Sequence, residues 1–476
     1  MALTETHQPV NIAIIGGGFC GVLTAIHLLN NPHLPVHIHL INKGYPLAKG
    51  IAYAPHTDSL LLNVPNGRMS AFADIPDHYV QWLRVNSIPD QYNNELASGF
   101  STRRQYGNYL AQLWHEATSK KQENKTVSVY NNYAGDITED GNKLIIHLCD
   151  QKTLRADAVI LATGNALPRF PDGIPASLKG SEYYFEDPWK KDCIENLEAE
   201  KDILIIGNGL TMTDTVMGLA WNGFKQTIHT ISPNGYRLRP WAEAKKPYTD
   251  ADATAISSQE PSLLYLVKTF NKHRKIAAQL DQSIYPVIDS MRPHTSNIWR
   301  AFNSREKQQF VSYLNTHWGS VRHRIPPEMQ QLIEQLRAEK RLITHSGHII
   351  LSNESQGGVN VTLNCKGQLK QLTVQRIINC TGPENHISKT GNKLLSNLYN
   401  KGLISAGPCN MGIHAHHENG QVINADQSLK SNLFVIGNNL KGTLWETTAV
   451  PELRVQAKKL AEHIVAEWDI SYKKAI

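Results

Sequence analysis

Two sets of glycine residues have the spacing that proteins use to bind the phosphates of a dinucleotide. The first set is Gly16-x-Gly18-x-x-Gly21, and the second is Gly207-x-Gly209 followed by Thr211 and Asp214. The first glycine of such a motif permits a tight turn, the second lets the backbone approach a pyrophosphate, and the third allows a helix to pack closely on a strand. The second set has Met212 in place of a third glycine, so looser helix packing is expected there.

Each glycine set follows a segment with the pattern of a strand and precedes a segment with the pattern of a helix. The first follows an apolar strand at Val10–Ile15 and precedes a helical pattern at Val22–Leu29 and a strand at Val36–Ile41. The second follows a strand at Ile203–Ile206 and precedes a helix through Trp221 and a strand at Thr227–Ile231. Two such units predict an α/β fold with two Rossmann-like dinucleotide-binding domains, in which one dinucleotide reduces the other.

Two further predicted strands end in a Thr-Gly pair. Thr163-Gly164 follows the strand Ala158–Leu161, and Thr381-Gly382 follows the strand Arg376–Asn379. Glycine adopts backbone angles that other residues avoid, so such a pair lets the chain turn tightly beside a bound nucleotide. Thr163 and Gly164 are therefore candidate contacts to the first nucleotide.

The residues after the second strand of each unit bear on ribose recognition. A dinucleotide site commonly places an acidic residue there, but this chain has Asn42, which could either bond to a ribose hydroxyl or simply end the strand. In the second unit Arg237 and Arg239 follow at a similar place. They favour NADPH over NADH, because an arginine can bind the ribose 2′-phosphate, although both could also be solvated.

The C-terminal segment could close a flavin site. A predicted strand, Leu433–Ile436, ends at Gly437, and the loop 442–446 leads to a helix that begins near Ala449 and continues to about Trp468. Thr447 or Thr448 could cap this helix. The positive end of the helix, directed at the pyrimidine side of a flavin, would stabilise the anion formed on reduction, although an ordinary capped helix is the alternative.

Composition and charge exclude several classes of protein. The 476 residues suffice for two or three domains, and 41% hydrophobic with 19% charged residues is ordinary for a folded chain. The net charge of +6 comes from scattered residues, so no nucleic-acid partner is indicated. Neither a signal sequence nor a membrane-spanning run is seen, and we expect a cytoplasmic protein without an evident obligate protein partner.

Cysteine and histidine spacing argues against a disulfide or metal centre. The six cysteines form no Cys-x-x-Cys pair, which argues against disulfide-reductase chemistry. The run His414-Ala415-His416-His417 has no carboxylate or cysteine at ligand spacing, so no metal is predicted. Between Asp250 and Lys340 the sequence is polar and favours helices, with Trp299 and Trp318 and no strand signal before Arg341. We interpret this stretch, about 250–340, as a helical insertion.

Several segments together resemble a family of FAD/NAD(P)-binding oxidoreductases that includes flavin-dependent urate hydroxylases and nitrosuccinate-forming aspartate N-monooxygenases. The specific segments are Asn63-Val64-Pro65-Asn66-Gly67-Arg68-Met69-Ser70 and the stretch 442–452. Less specific segments are 12–28, 103–110, 207–214 and 322–327, so the resemblance spans most of the chain.

The resemblance implies an FAD domain made from residues 1–195 and 371–476, with an NAD(P)H domain at 196–370 that includes the insertion. It places Asn63, Met69 and Ser70 along the flavin, and Trp445 and Glu446 near the flavin ring. The expected activity is hydroxylation of a small polar substrate, such as a purine or amino acid, by molecular oxygen through a flavin hydroperoxide.

An anionic substrate would need a cationic pocket, for which Arg68 and the cluster Arg322-His323-Arg324 are candidates, although structural pairing is the alternative for each. Two other functions stay open. One is a reductase or electron-transfer flavoprotein that inserts no oxygen. The other is a non-catalytic nucleotide-binding protein.

Overall fold

Two parallel sheets form the two domains of the protein. The computed structural model describes residues 8–55, 57–87, 95–120, 124–241 and 262–474. The first domain is built on a six-stranded sheet. In spatial order its strands are Gln421–Ile423, Leu429–Val435, Ala158–Leu161, Val10–Ile15, Val36–Ile41 and Lys125–Tyr130. All neighbours are parallel except the first pair.

The two ends of the chain meet on this sheet. The helix Phe19–Asn30 packs against the C-terminal helix Val450–Lys474 and the helix Arg103–Ser119. Because helices cover the central strands, those strands read as continuous apolar runs. Ile12 and Ile14 on the first strand and Phe434 near the C-terminus are all fully buried in one core.

The second domain is built on a five-stranded parallel sheet. In spatial order its strands are Leu342–Ser346, Ile228–Ser232, Ile203–Ile206, Arg376–Asn379 and Tyr184–Phe185. Its central strand is followed by the glycine turn and the helix Leu210–Trp221. The predicted fold class, with two Rossmann-like units, is confirmed.

The predicted domain boundaries at 195 and 371 cut through this second sheet. Tyr184–Phe185 and Arg376–Asn379 had been placed with the FAD domain, but they pair with each other in the second domain. Both segments are short, and a sequence pattern does not show which sheet a short strand joins. The second domain therefore extends at least from Tyr184 to Asn379.

Each domain also carries a three-stranded antiparallel sheet that the sequence did not predict. In the first domain it comprises Ala134–Asp140, Lys143–Leu148 and Thr153–Ala156, and in the second it comprises His348–Ser355, Gly358–Cys365 and Gln368–Val374. In both domains this sheet directly precedes the strand that ends in Thr-Gly. The two domains therefore repeat one plan.

The predicted insertion is helical over the residues that the structure describes; residues 250–261 of the predicted range lie outside them. The helices are Leu263–Gln279, Tyr285–Met291, Thr295–Ala301, Ser304–Gln309, Asn315–Arg322 and Pro327–Ala338, and a π-helix at Phe310–Leu314 joins the fourth to the fifth. One exception is a two-residue strand, Arg324–Ile325, which pairs with Arg239–Pro240 and is too short to show periodicity.

Shorter helices complete the fold. They are Gly50–Tyr53, His78–Asn86, Lys393–Asn400 and Lys441–Leu444. No helix among the described residues combines the length and the apolar character needed to cross a membrane.

Candidate active site

The two glycine turns have the same construction. Gly16 N donates to Ile41 O at 2.9 Å, and Gly207 N donates to Ile231 O at 2.8 Å. Both glycines have positive φ, +113° and +111°, which side-chain-bearing residues rarely adopt. A Cβ atom at Gly16 would stand 2.1 Å from Ala162 O, and one at Gly207 would stand 2.4 Å from Cys380 O. Both turns therefore require glycine.

The third glycine of the first motif, Gly21, supports the turn from behind. A Cβ atom there would lie 1.9 Å from Gly16 O, so glycine permits the close packing that the motif predicts. Met212, at the equivalent place in the second motif, is buried in the core of its domain. The Met212 side chain thus packs under the helix Leu210–Trp221, whereas the backbone of the helix Phe19–Asn30 lies directly against its glycine turn at Gly21.

A cavity of about 590 Å³ opens at the first glycine turn. Of the predicted FAD contacts, the residues that line it are Gly16, Gly18, Asn42, Thr163, Gly164 and Gly437. It continues to Asn438, in the turn after the strand Leu429–Val435, and to Thr447, Thr448 and Leu453, which lie around the start of the C-terminal helix. A dinucleotide with its pyrophosphate at the glycine turn would therefore extend along this cavity to the positive end of that helix.

Unsatisfied polar atoms line the far end of this cavity. Asn438 Oδ1 and Thr447 Oγ1 are buried and have no hydrogen-bond partner among the described residues. Asn63 Oδ1 is also buried and unpartnered, although Asn63 does not line the cavity. Buried polar groups in folded proteins normally find partners. The amide and hydroxyl groups thus fit a polar ring such as the pyrimidine part of a flavin, and the residues present are compatible with FAD.

Two predicted details of this cavity differ in the structure. Thr447 does not cap the C-terminal helix, since its hydroxyl is unpartnered and Ala449 directly precedes the helix. Asn42 uses its side chain to brace the glycine turn: Oδ1 accepts from Gly17 N at 3.1 Å, and Nδ2 donates to Tyr45 O at 3.0 Å. Of the two readings of Asn42, the structure supports the strand-end turn.

The other five predicted FAD contacts do not line this cavity: Gly21, described above, Trp445, described below, and Asn63, Met69 and Ser70. Met69 is buried in the core of the first domain, and the Ser70 hydroxyl donates to Ile75 O at 2.6 Å. The backbone O of Asn63 accepts from Trp241 Nε1 at 3.0 Å, whereas its side-chain Oδ1 is buried and has no partner among the described residues. Of Asn63, Met69 and Ser70, Asn63 is therefore the one whose side chain could bond to a ligand. Met69 and Ser70 therefore shape the wall from behind.

Trp445 and Glu446 form a wall between the first cavity and the helical insertion. Trp445 is 6% exposed and lies 4.7 Å from Trp299 and 4.9 Å from Phe310, measured between ring centroids. Its backbone has φ +65°, an unusual value for an aromatic residue. The Trp299 indole also donates to Gly442 O at 2.7 Å. The insertion thus fixes the loop that precedes Thr447.

A chain of four charges continues from this wall, of which Glu446 is buried and the other three are partly buried. Arg322 Nη2 lies 3.5 Å from Glu446 Oε2 and 3.9 Å from Glu452 Oε1, and Arg292 Nη2 donates to Glu452 Oε2 at 2.9 Å. The Trp318 indole donates to Glu446 Oε1 at 3.2 Å. Arg322 was predicted as a receptor for a substrate anion, but its charge is already matched by two protein carboxylates.

The other predicted anion receptors are also engaged or uncharged. Arg324 Nη2 lies 2.8 Å from Asp289 Oδ1, and its guanidinium group stacks on Tyr285 and Trp241. Burial and the neighbouring Arg322 lower the pKa of His323 to about 4, so it is neutral near pH 7. Arg68, the most exposed of the set, lies over the Trp241 ring. Arg322 and Arg324 thus both make the structural pairing that was the alternative to anion binding.

The second glycine turn presents a different set of groups. Gly209 immediately precedes the helix that starts at Leu210, and Thr211 lies in its first turn. Between the glycines, both side-chain polar atoms of Asn208 are buried without a partner among the described residues. Asn208 shares a small pocket with Arg237 and Arg337. The pocket itself is only about 10 Å³, and Arg337 Nη1 lies 2.6 Å from Glu334 Oε1, so Arg237 is the guanidinium group there without a carboxylate partner among the described residues, whereas Arg239 does not line the pocket.

Asp214, which was predicted as a nucleotide contact, pairs with an arginine of the first domain. It is 3% exposed, and its Oδ2 accepts from Arg103 Nη2 at 2.8 Å. Burial raises the pKa of Asp214 to about 6, and the Arg103 guanidinium group opposes this rise. Arg103 belongs to the first domain, so the pair joins the two domains, while Asp214 Oδ1 is buried without a hydrogen-bond partner among the described residues.

The thiols of the described residues are not arranged for disulfide exchange. All six cysteines are free. Burial raises the pKa of Cys20 and Cys380 to about 12 and raises that of Cys193 as well. Since the thiolate is the reactive form, these three thiols are inert near neutral pH.

Comparison with known proteins supports this description of the first domain. The profile of a family described as FAD-NAD(P)-binding matches residues 13–166. These residues contain the first glycine turn, Asn42 and Thr163-Gly164. No curated protein matches the chain.

Several solved structures share the whole fold at low sequence identity. An ornithine N-hydroxylase from Kutzneria sp. 744 has 13% identity and a TM-score of 0.62, with 97% of this chain and 100% of that chain covered. L-lysine 6-monooxygenase from Pseudomonas syringae has 14% identity and a TM-score of 0.65, over 96% and 99%. Bacillithiol disulfide reductase from Staphylococcus aureus has 12% identity and a TM-score of 0.56, over 97% and 99%.

The sequence analysis missed residues that the structure brings to the two sites. Asn438 lies in the first site, and Asn208 and Arg337 lie in the second. Asn208 could have been noted because it stands between two glycines of a motif. Arg337 is more than 120 positions from the motif in sequence, so only the packing of its helix reveals it.

Proposed function

We propose that this protein is an FAD-dependent monooxygenase that consumes NADPH and hydroxylates a small organic substrate. Overall, the substrate, O2, NADPH and one proton would give the hydroxylated substrate, water and NADP+. Support comes from the match to an FAD-NAD(P)-binding family and from neighbours of the same fold that hydroxylate ornithine and lysine. The Kutzneria structure holds reduced FAD, NADP+ and ornithine together.

In the first domain, Gly16 and Gly18 would hold the FAD pyrophosphate, with the N-terminus of the helix Phe19–Asn30 directed at it. Asn438 and Thr447 would bond to polar edges of the flavin, which would satisfy their unpartnered atoms. The N-terminal end of Val450–Lys474 would stabilise negative charge there. Bound FAD supplies the electron transfer and the oxygen activation.

In the second domain, Gly207 and Gly209 would hold the pyrophosphate of NADPH. Asn208 would bond to it or to the ribose through its buried amide. Arg237, an exposed residue beside Asn208, would bind the 2′-phosphate, which is the group that distinguishes NADPH from NADH.

The aromatic wall at Trp445 is the observation that favours oxygen insertion over simple electron transfer. An activated oxygen species must be kept from water until it meets the substrate. Trp445, Trp299 and Phe310 provide a buried apolar wall next to the loop that leads into the FAD cavity. A reductase that serves a large acceptor would gain nothing from this wall. The bacillithiol disulfide reductase shares the fold, so the fold alone does not decide between them.

The proposal is tested by following oxygen with the purified yellow protein. NADPH, heavy-isotope oxygen gas and a panel that includes ornithine, lysine, aspartate, urate and apolar carboxylates such as decanoate would be supplied, and the product mass, NADPH loss and hydrogen peroxide would be measured. We expect one substrate to acquire the heavy atom while peroxide falls. NADPH consumed only with dyes or quinones, without labelled product, would favour the reductase. A colourless protein that binds no FAD would contradict both enzymatic functions.

A further inference from the structure

A second cavity, of about 850 Å³, lies between the second domain and the helical insertion. Its inner surface is apolar and is made by one face of the helix Leu263–Gln279 and by the π-helix Phe310–Leu314. Its apolar lining includes Leu266, Val267, Phe270, Met291, Phe310 and Leu314. Neither glycine turn opens into it, because none of the motif glycines is among the residues that line it.

The π-helix explains how the insertion forms this surface. It interrupts a helical stretch from Ser304 to Arg322 with one wider turn. Phe310 and Leu314 are its first and last residues, and both line the cavity. Such turns cost stability and occur frequently at functional sites. The cavity is therefore built by a specific local distortion of the insertion.

The mouth of the cavity is positively charged. Arg237, Arg239 and Arg274 are exposed residues that line it, against one carboxylate, Glu334. None of the three arginines has a carboxylate within salt-bridge distance among the described residues. Tyr236 OH and His317 Nε2, 2.9 Å apart, join the two sides of the opening. An apolar interior under a cationic mouth is complementary to an organic anion with an apolar body.

The inner end of the cavity reaches the wall of the FAD site. Phe310, which lines the cavity, makes an edge-on contact with the Trp445 ring at 4.9 Å. Trp318, which also lines it, donates to Glu446. Trp445 and Glu446 immediately precede Thr447 and Thr448, which line the first cavity. The two cavities are thus separated by this one loop.

We propose that this second cavity is the substrate-binding cavity and that the substrate is a carboxylate, or an equivalent organic anion, with an apolar body. The inference rests on the proposed function and narrows it: an anionic substrate was expected, but the apolar lining excludes a compact polar one. Arg274 and Arg239 bind the anionic group at the mouth. The apolar body extends inward toward Phe310 and Trp318, next to the loop that borders the FAD site.

Binding is tested by calorimetric titration of the flavin-loaded protein with three probes: decanoate, decylammonium and glutarate. We expect saturable binding of decanoate to one site, and binding at least about tenfold weaker for the other two, which lack either the negative charge or the apolar body. NADP+ is expected not to displace decanoate. No saturable binding of decanoate, equal binding of decylammonium, or full displacement by NADP+ would overturn the proposal.

Two variants locate the site, each with a matched control. Val267→Glu puts a carboxylate on the apolar lining, whereas Leu264→Glu changes an exposed side chain of the same helix, 63% accessible, that does not line the cavity. Arg274→Gln removes a mouth charge, whereas Arg305→Gln removes an exposed charge elsewhere on the insertion. Decanoate affinity should fall about tenfold in the first member of each pair only. Equal effects within a pair would refute the location.

The position beside the FAD site is tested separately. Decanoate should perturb the absorption spectrum of bound flavin and saturate at the concentration found by calorimetry. Calorimetric binding without a spectral change would show a remote site and overturn the assignment to substrate. Neither measurement needs turnover. If the protein binds decanoate but inserts no oxygen into any substrate, the proposed function is contradicted, whereas the ligand class proposed for the second cavity still holds.

Discussion

Arg103 Nη2 donates to Asp214 Oδ2 at 2.8 Å, and this pair connects the helix Arg103–Ser119 of the first domain to the helix Leu210–Trp221 of the second. Both side chains are at least 90% buried. Arg103 also lies over the Trp189 ring at 5.4 Å. The two glycine turns are thereby held in a fixed relation by a contact that neither motif reveals.

Replacing Asp214 by Asn should destabilise the protein by about 3–5 kcal/mol, because the buried Arg103 charge would lose its partner. Thermal or urea unfolding would measure the change. The neighbouring Arg104→Gln, which breaks an exposed pair with Asp58, should cost no more than about 1 kcal/mol. Equal effects for the two variants would refute the role of the buried pair.

Alanine at the two turn glycines should separate the two cofactors. Gly16→Ala should lose most of its FAD, because the added Cβ atom meets Ala162 O and the positive φ is strained. Gly207→Ala should keep its FAD, but NADPH should reduce that flavin poorly. Flavin content and the rate of flavin reduction are the readouts. Gly319→Ala, in a helix with room for a methyl group, is the control and should change neither.

Arginine substitutions should identify the group that selects the nucleotide. Arg237→Gln should raise the KM for NADPH about tenfold and leave that for NADH unchanged, because Arg237 lines the pocket beside Asn208. Arg239→Gln should change neither KM, since Arg239 faces only the second cavity. If Arg239→Gln raises the KM for NADPH more than Arg237→Gln does, the 2′-phosphate binds on the side of the loop that faces the second cavity.

Weakening the aromatic wall should divert oxygen to hydrogen peroxide. Trp445→Leu removes the ring that packs between Trp299 and Phe310, and water should reach the FAD site more easily. We expect the share of NADPH electrons recovered as peroxide to rise severalfold, with NADPH oxidation retained. Trp221→Leu alters a tryptophan that is 69% exposed and serves as the control. Unchanged peroxide in Trp445→Leu would show that the wall does not exclude water.

Acid should destabilise the insertion through His323. Burial and the charge of Arg322 lower its pKa from 6.5 to about 4, while Glu446 acts in the opposite direction and Lys441 in the same one. The unfolded chain takes up this proton below pH 6.5 and the folded chain only near pH 4, so stability should fall as the pH drops from 6.5 to 4. His323→Asn should flatten that slope, whereas the exposed His115→Asn should not.

Sequence reasoning predicted the features that depend on local chemistry. Gly16 and Gly207 could be assigned because a tight turn before a helix requires glycine, and the strands Val10–Ile15 and Ala158–Leu161 could be assigned because buried parallel strands are uniformly apolar. Features that depend on distant partners were not predictable. Arg322 and Asp214 looked like ligand contacts, but carboxylate or guanidinium groups more than 100 positions away in sequence engage both.

The order in which the strands are synthesised bears on how the protein matures. Every strand of the second sheet has been translated once Asn379 is made, so this domain can begin to fold on the ribosome. The first sheet must wait for Leu429–Val435, and its glycine turn must also wait for the C-terminal helix. Residues 8–55 therefore expose an apolar strand and helix through most of translation. A chaperone, or FAD bound late, would have its greatest effect on this N-terminal segment.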